Sequence, residues 1–130
     1  MDVNNIQILY NVCYGGFSPS DKAVELYNLR KLEIDPSYQC ILSCVLIDRD
    51  DPILVKIYHE LGRNFDVNYS NTNVFLLDKK YKNYYVINEY DGMEMVSIDI
   101  NRYKLDNVKR ILHNQQSNDK KIAELLKIFA

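Results

Sequence analysis

Tryptophan is absent from this 130-residue chain, and glycine, proline, cysteine and histidine are scarce, at four, three, three and two residues. Each shortage closes a class of protein. Cys13, Cys40 and Cys44 are an odd set without a CxxC spacing, so a disulfide framework is not expected. A structural zinc centre takes about four ligands, and His59 and His113, in unrelated segments, do not complete one with these cysteines. No cofactor is expected. No apolar run approaches the ~18–20 residues that span a bilayer. The leading Met1-Asp2-Val3-Asn4-Asn5 carries no basic region, so a secretory leader is not expected and a reducing setting is. Charge excess is missing too, since a net charge of −2 gives no global positive field to gather nucleic acid.

The residues that are present fit one soluble globular domain with a core of ordinary size: 47% are apolar and 26% charged. Asn, Ile, Lys and Tyr are abundant, with 11 tyrosines. All four have AT-rich codons, so the tyrosine excess is weak evidence for an aromatic recognition surface.

Patterning predicts alternating elements. Ile6, Ile8, Tyr10, Val12 and Tyr14 recur every second residue, as in a strand with one buried face. Gly15-Gly16 stops it, and Ser18, Pro19 and Asp21 suit the cap and first turn of a helix through about Lys31. The apolar run 39–47 fits a central strand buried on both faces, with Cys40 and Cys44 as small core residues. Asp50-Asp51-Pro52 opens a second helix striped by Ile53, Leu54, Ile57, Tyr58 and Leu61 and stopped at Gly62. Val74 to Leu77, Tyr84 to Tyr90 and Met93 to Asp99 read as strands, the last two joined by the hairpin signal Asp91-Gly92. From about Tyr103 the chain turns helical, and Ile122, Leu125, Leu126 and Phe129 fall at i, i+3, i+4 and i+7. The expectation is an α/β (α+β type) fold with a mixed five-stranded sheet, two helices in the first half and a C-terminal helical extension. Residues 1–102 would form the core domain, and 103–130 would pack on it or on a partner.

Three stretches resemble a family of short proteins of tailed phages and large DNA viruses. They are Tyr10-Asn11-Val12-Cys13-Tyr14-Gly15-Gly16-Phe17-Ser18-Pro19-Ser20, with Ala23 and Leu26 behind it; Arg49-Asp50-Asp51-Pro52-Ile53-Leu54-Val55, ending at Glu60-Leu61-Gly62; and Tyr85-Val86-Ile87-Asn88-Glu89-Tyr90-Asp91-Gly92-Met93-Glu94. The likeness covers roughly residues 6 to 98. The family commonly has leucine where Pro19 stands and usually ends soon after the acidic hairpin, so residues 103–130 look like an extension. The composition is similar to that of amoebal giant viruses. The resemblance implies a viral source, with the host cytoplasm during infection or the virion as the place of action. It implies no chemistry.

The motifs admit two readings each. The Gly15-Gly16 turn could present backbone N–H groups to an anion or nucleotide, with Ser18 and Ser20 adding hydroxyls; it could equally be a tight capped turn. It is not a P-loop, which needs a lysine after its second glycine. Asp91 and Glu94 could do acid or base work, or serve as a turn residue and an ion pair with Arg49. Lys79-Lys80-Tyr81-Lys82 interleaves cations and aromatics as single-strand binders do, yet three lysines on an acidic domain would bind nucleic acid only weakly. The last helix could cap the sheet or pack against a second copy. The leading expectation is a non-enzymatic accessory protein that binds a protein partner or itself, without membrane or nucleic acid. The alternative is a nucleotide or anion binder built from Gly15, Gly16, Ser18, Ser20, Arg49, Asp91 and Glu94.

Overall fold

The computed structural model describes residues 4–129. Four strands and four helices form: β1 (Asn5–Asn11), α1 (Asp21–Ile34), α2 (Pro52–Leu61), β2 (Thr72–Asp78), β3 (Tyr85–Tyr90), β4 (Met93–Ile98), α3 (Ile100–His113) and α4 (Asn118–Phe129). The mixed α+β class agrees with expectation, but the five-stranded sheet does not form. β1 pairs antiparallel with β2 in one two-stranded sheet, and β3 pairs antiparallel with β4 in another.

The missing fifth strand is the run 39–47, which folds as turns and bends. Its inward residues come every third position: Cys44 is fully buried, while Ile41 and Ile47 are half-buried and pack on the same core. The Ile47 amide donates to the Cys44 carbonyl, closing a turn. The Asn28 side chain clamps the Ile41 backbone, donating to its carbonyl and accepting from its amide, each at 2.9 Å. A period of three satisfies the backbone locally and turns Leu42 and Leu46 outward. They are 98% and 92% exposed, and Cys40, expected in the core, is exposed as well.

Helix ends follow the local chemistry. Ser20, not Ser18, caps α1; its Oγ accepts the Ala23 amide at 3.3 Å and Asp21 lies in the first turn. Asp51 caps α2 through the Ile53 and Leu54 amides, Pro52 fits the first turn, and Gly62 ends the helix at a φ of 54°. The main core lies between these helices and one face of β1, with Leu9, Phe17, Ala23, Tyr27, Cys44, Leu54, Ile57 and Phe65. The alternate residue Ile8 points to the opposite face and is also fully buried, so β1 is covered on both sides at its centre. Ile111 is the buried residue of α3, and no residue of α4 is fully buried.

Burial sets three titrations. The Tyr27 hydroxyl donates to Asp51 at 2.9 Å and the Tyr85 hydroxyl to Asp50 at 3.1 Å. Desolvation first, then the neighbouring carboxylates, hold both phenols well above the usual tyrosine range. Desolvation, with Asp51 adding, pushes the Cys44 thiol up to about 11. The folded state therefore keeps protons that the unfolded chain releases, and this contribution to stability is intact below the unfolded values. It is lost as pH rises through the folded ones. Thermal midpoints should stay level up to about pH 9 and fall above it. In a spectrophotometric titration, Tyr27 and Tyr85 should ionise only as the fold is lost. Ionisation of Tyr27 or Tyr85 in the folded protein would refute this. Maleimide should modify Cys40 readily at pH 7.5 and leave Cys44 unmodified until denaturant is added, as mass spectrometry of the peptides can show.

Candidate functional site: a closed polar joint

The first and third motifs meet. Gly92, at a φ of 87°, lies so close to the first motif that a Cβ built on it would stand 2.1 Å from the Tyr14 carbonyl oxygen and 2.6 Å from the Gly16 nitrogen. A Cβ on Gly15 would stand 1.8 Å from the Tyr69 carbonyl oxygen. Both glycines are needed for close backbone approach. Asp91, at a φ of 51°, and Gly92 form the expected turn with positive φ at both central positions.

Beneath this contact sits an arginine–glutamate pair. Arg49 Nη1 donates to Glu94 Oε1 at 2.6 Å and Nη2 to Oε2 at 2.8 Å, a two-pronged bond. The side chains are only 15% and 8% exposed. The Arg49 guanidinium also stacks on Phe17, 3.7 Å from the ring centroid.

The pair finishes an edge of β1. The Leu9 amide donates to the Arg49 carbonyl at 2.9 Å, and Arg49 Nη1 donates back to the Leu9 carbonyl at 3.3 Å. Two residues on, the Asn11 amide donates to Glu94 Oε1 at 2.9 Å. A backbone carbonyl, a guanidinium and a carboxylate thus stand where another strand would pair. This is why β4 approaches β1 without joining its sheet.

Asn11 is the residue that sequence reasoning missed. It is fully buried. Its Nδ2 donates to the carbonyls of Gly92 at 2.8 Å and Cys13 at 2.5 Å, and its Oδ1 accepts from the amides of Asn71 at 2.9 Å and Cys13 at 3.3 Å. The available signal was an asparagine inside a strand pattern, where it is disfavoured without a specific partner.

The other expected site residues lie around this joint in supporting roles. The Ser18 amide donates to Ser70 Oγ at 3.2 Å and its carbonyl accepts the Val67 amide. Ser20 Oγ donates to the Asn64 carbonyl at 2.5 Å while capping α1. Four residues separate Gly16 from the start of α1, so the glycine turn packs on Tyr69 and Gly92 and does not open onto the helix N-terminus. Asp50 and Asp51 go to Tyr85, Tyr27 and the α2 cap. Glu89, directly across the hairpin from Glu94, accepts the Gly92 amide at 3.0 Å. A groove of about 400 Å³ lies elsewhere, lined by apolar Ile6, Pro52 and Val55 together with polar residues that include Asp50, Lys56 and His59.

Among the described residues, no group of three or more His, Cys, Asp and Glu side chains is arranged to hold a metal. No helix among them is long and apolar enough to cross a membrane. Comparison with family models, with curated proteins and with solved structures returns no match to this chain. What this geometry defines is an α+β domain in which Asn11, Arg49 and Glu94 are engaged with one another and with nearby backbone, while Leu42 and Leu46 stand exposed at the surface.

Proposed function

We propose that the chain is a viral accessory protein, acting in the host cytoplasm, that works by binding protein. The observation that carries this reading is the loop 39–47, which holds Leu42 and Leu46 almost wholly in solvent, with Val45 exposed between them. Single exposed leucines are ordinary. Three apolar side chains raised on one ordered loop form a contact surface, because burying each against a partner is worth about 1.5–3 kcal/mol. The loop is held by Asn28 on Ile41, by the burial of Cys44 at its middle and by the Ile47-to-Cys44 turn, so it meets a partner already shaped. The viral source is supported by the three motif stretches and their spacing.

A photoreactive amino acid in place of Leu46, in cells that naturally express the gene, tests this reading. A discrete cross-linked protein species is expected, absent when the same probe replaces Lys56 and lost on adding Leu42→Asp. Cross-linking no stronger at 46 than at 56 would overturn the reading.

A further inference from the structure

The turn after β2 and the two C-terminal helices are separate in the chain but meet around one cavity. It holds about 290 Å³, and its lining includes Tyr81 from the turn, Ile100, Tyr103, Lys104 and Asn107 from α3, and Lys127 from α4. The rings of Tyr81 and Tyr103 meet edge to face, with centroids 4.8 Å apart and planes at 67°, and form an aromatic corner. Both charges of the lining, Lys104 and Lys127, are positive. Lys80 adds a third, its Nζ 5.0 Å from the Tyr81 ring centroid. Among the described residues the ion pairs are Arg30–Glu60 and Arg49–Glu94, and none of these three lysines takes part in one. The acids near them in the chain are used elsewhere. Asp78 accepts the Lys80 amide, Asp99 the Arg102 amide and Asp106 the Tyr84 hydroxyl. Neither these acids nor Glu124, one turn ahead of Lys127, line the cavity.

We infer that this cavity takes one nucleotide of a single-stranded nucleic acid, its base against the tyrosine corner and its phosphates on Lys80, Lys104 and Lys127. Lysines without carboxylate partners call for an anion. Two aromatic rings and Ile100 call for a flat ring system attached to that anion, and Asn107 offers its amide to a base edge. The volume is at the lower end of the ~300–1,000 Å³ of small-molecule sites, so it admits one such group. A strand is favoured over a free nucleotide because cations continue outside the cavity. Exposed Lys79 and Lys82 flank Tyr81 in the chain, and exposed Arg102 lies over Tyr84, whose ring meets Tyr103. They are placed for the phosphates of neighbouring nucleotides. In the sequence only Lys79, Lys80 and Lys82 stand together; the fold adds Arg102, Lys104 and Lys127, which is why the expectation of no nucleic acid is revised. This surface is independent of the 39–47 loop and of its reading.

Fluorescence anisotropy of a labelled oligothymidylate of about 16 nucleotides, titrated with the full chain, tests the inference. At low salt a dissociation constant of about 1–100 μM is expected. The log of affinity should fall against the log of salt with a slope near ~2, about 0.7 for each of three phosphate contacts. Lys104→Gln/Lys127→Gln should weaken binding at least about tenfold and reduce that slope to about 0.7. Lys22→Gln/Lys56→Gln removes the same charge at exposed lysines elsewhere and should leave both nearly unchanged. Tyr81→Ala should weaken binding about fivefold or more while the slope stays, since it removes a stacking surface and no charge. Unchanged circular dichroism confirms that each variant folds. No binding at low salt would overturn the inference. Equal losses in the two lysine pairs would do the same, because they would mark diffuse charge. So would a duplex of the same length bound as tightly as the single strand, since the cavity admits only an unstacked base. Full competition by thymidine monophosphate at equal nucleotide concentration would replace the strand with a free nucleotide. Sedimentation with phosphatidylserine vesicles, without binding of the oligonucleotide, would assign the lysines to a membrane surface, and the inference would fail.

Discussion

Glu94→Ala is expected to destabilise the fold by about 3–5 kcal/mol, the cost of leaving one member of a buried ion pair without the other. The reason lies in what remains. Arg49, held by Phe17 and the Leu9 carbonyl, keeps its charge in a site 15% exposed and cannot swing out without giving up both contacts. The Asn11 amide loses its acceptor at the same time. Typical domains have only about 5–15 kcal/mol in hand, so the variant should be partly unfolded near body temperature. Urea melts of Glu94→Ala, Arg49→Ala and the double variant would show this. The double variant should cost clearly less than the two single costs combined, since it removes both charges together. Strict additivity, or a single-variant cost under 1 kcal/mol, would mean that the pair is not a structural joint.

The second large effect is expected at Gly92. Alanine there meets two obstacles, a φ of 87° and a carbonyl oxygen 2.1 Å from the new Cβ. The first costs roughly 1–3 kcal/mol, and relieving the second means moving the hairpin off the Tyr14–Gly16 backbone, at about 1–3 kcal/mol more. Gly16 supplies the control. Its φ is also 87°, but nothing lies within 4 Å of its Cβ position, so Gly16→Ala should incur only the conformational part. A difference of about 1–3 kcal/mol between the two variants in denaturant melts measures the contact between the motifs. Equal costs would show that conformation alone explains Gly92.

Much of this fold can be read locally. Asp51-Pro52 and Gly62 bound α2, and Asp91-Gly92 turns the hairpin, because each acts through neighbours one to three residues away. What could not be read depends on distant partners. The run 39–47 resembles a buried strand until Asn28 is known to bind the Ile41 backbone. The sheet was expected to be continuous because nothing in residues 5–11 announces that Arg49 and Glu94 will take up one of its edges. Likewise Asn11 gathers partners from residues 13, 71, 92 and 94, a convergence no short window displays. Of the expected site, the convergence of Arg49, Glu94 and the glycine turns was legible as one of two possibilities; that Arg49 and Glu94 would be spent on each other and on the edge of β1 was not.

The way β1 ends its sheet has a consequence beyond stability. A strand edge with unpaired amides is a template on which other chains can add strands, the first step of fibrillar aggregation. At Leu9 and Asn11 that template is occupied by a guanidinium and a carboxylate, groups that no incoming strand can copy. Arg49 and Glu94 thus guard the chain against its own kind at this edge, and variants that lose them should scatter light on standing well before the population of unfolded molecules accounts for it.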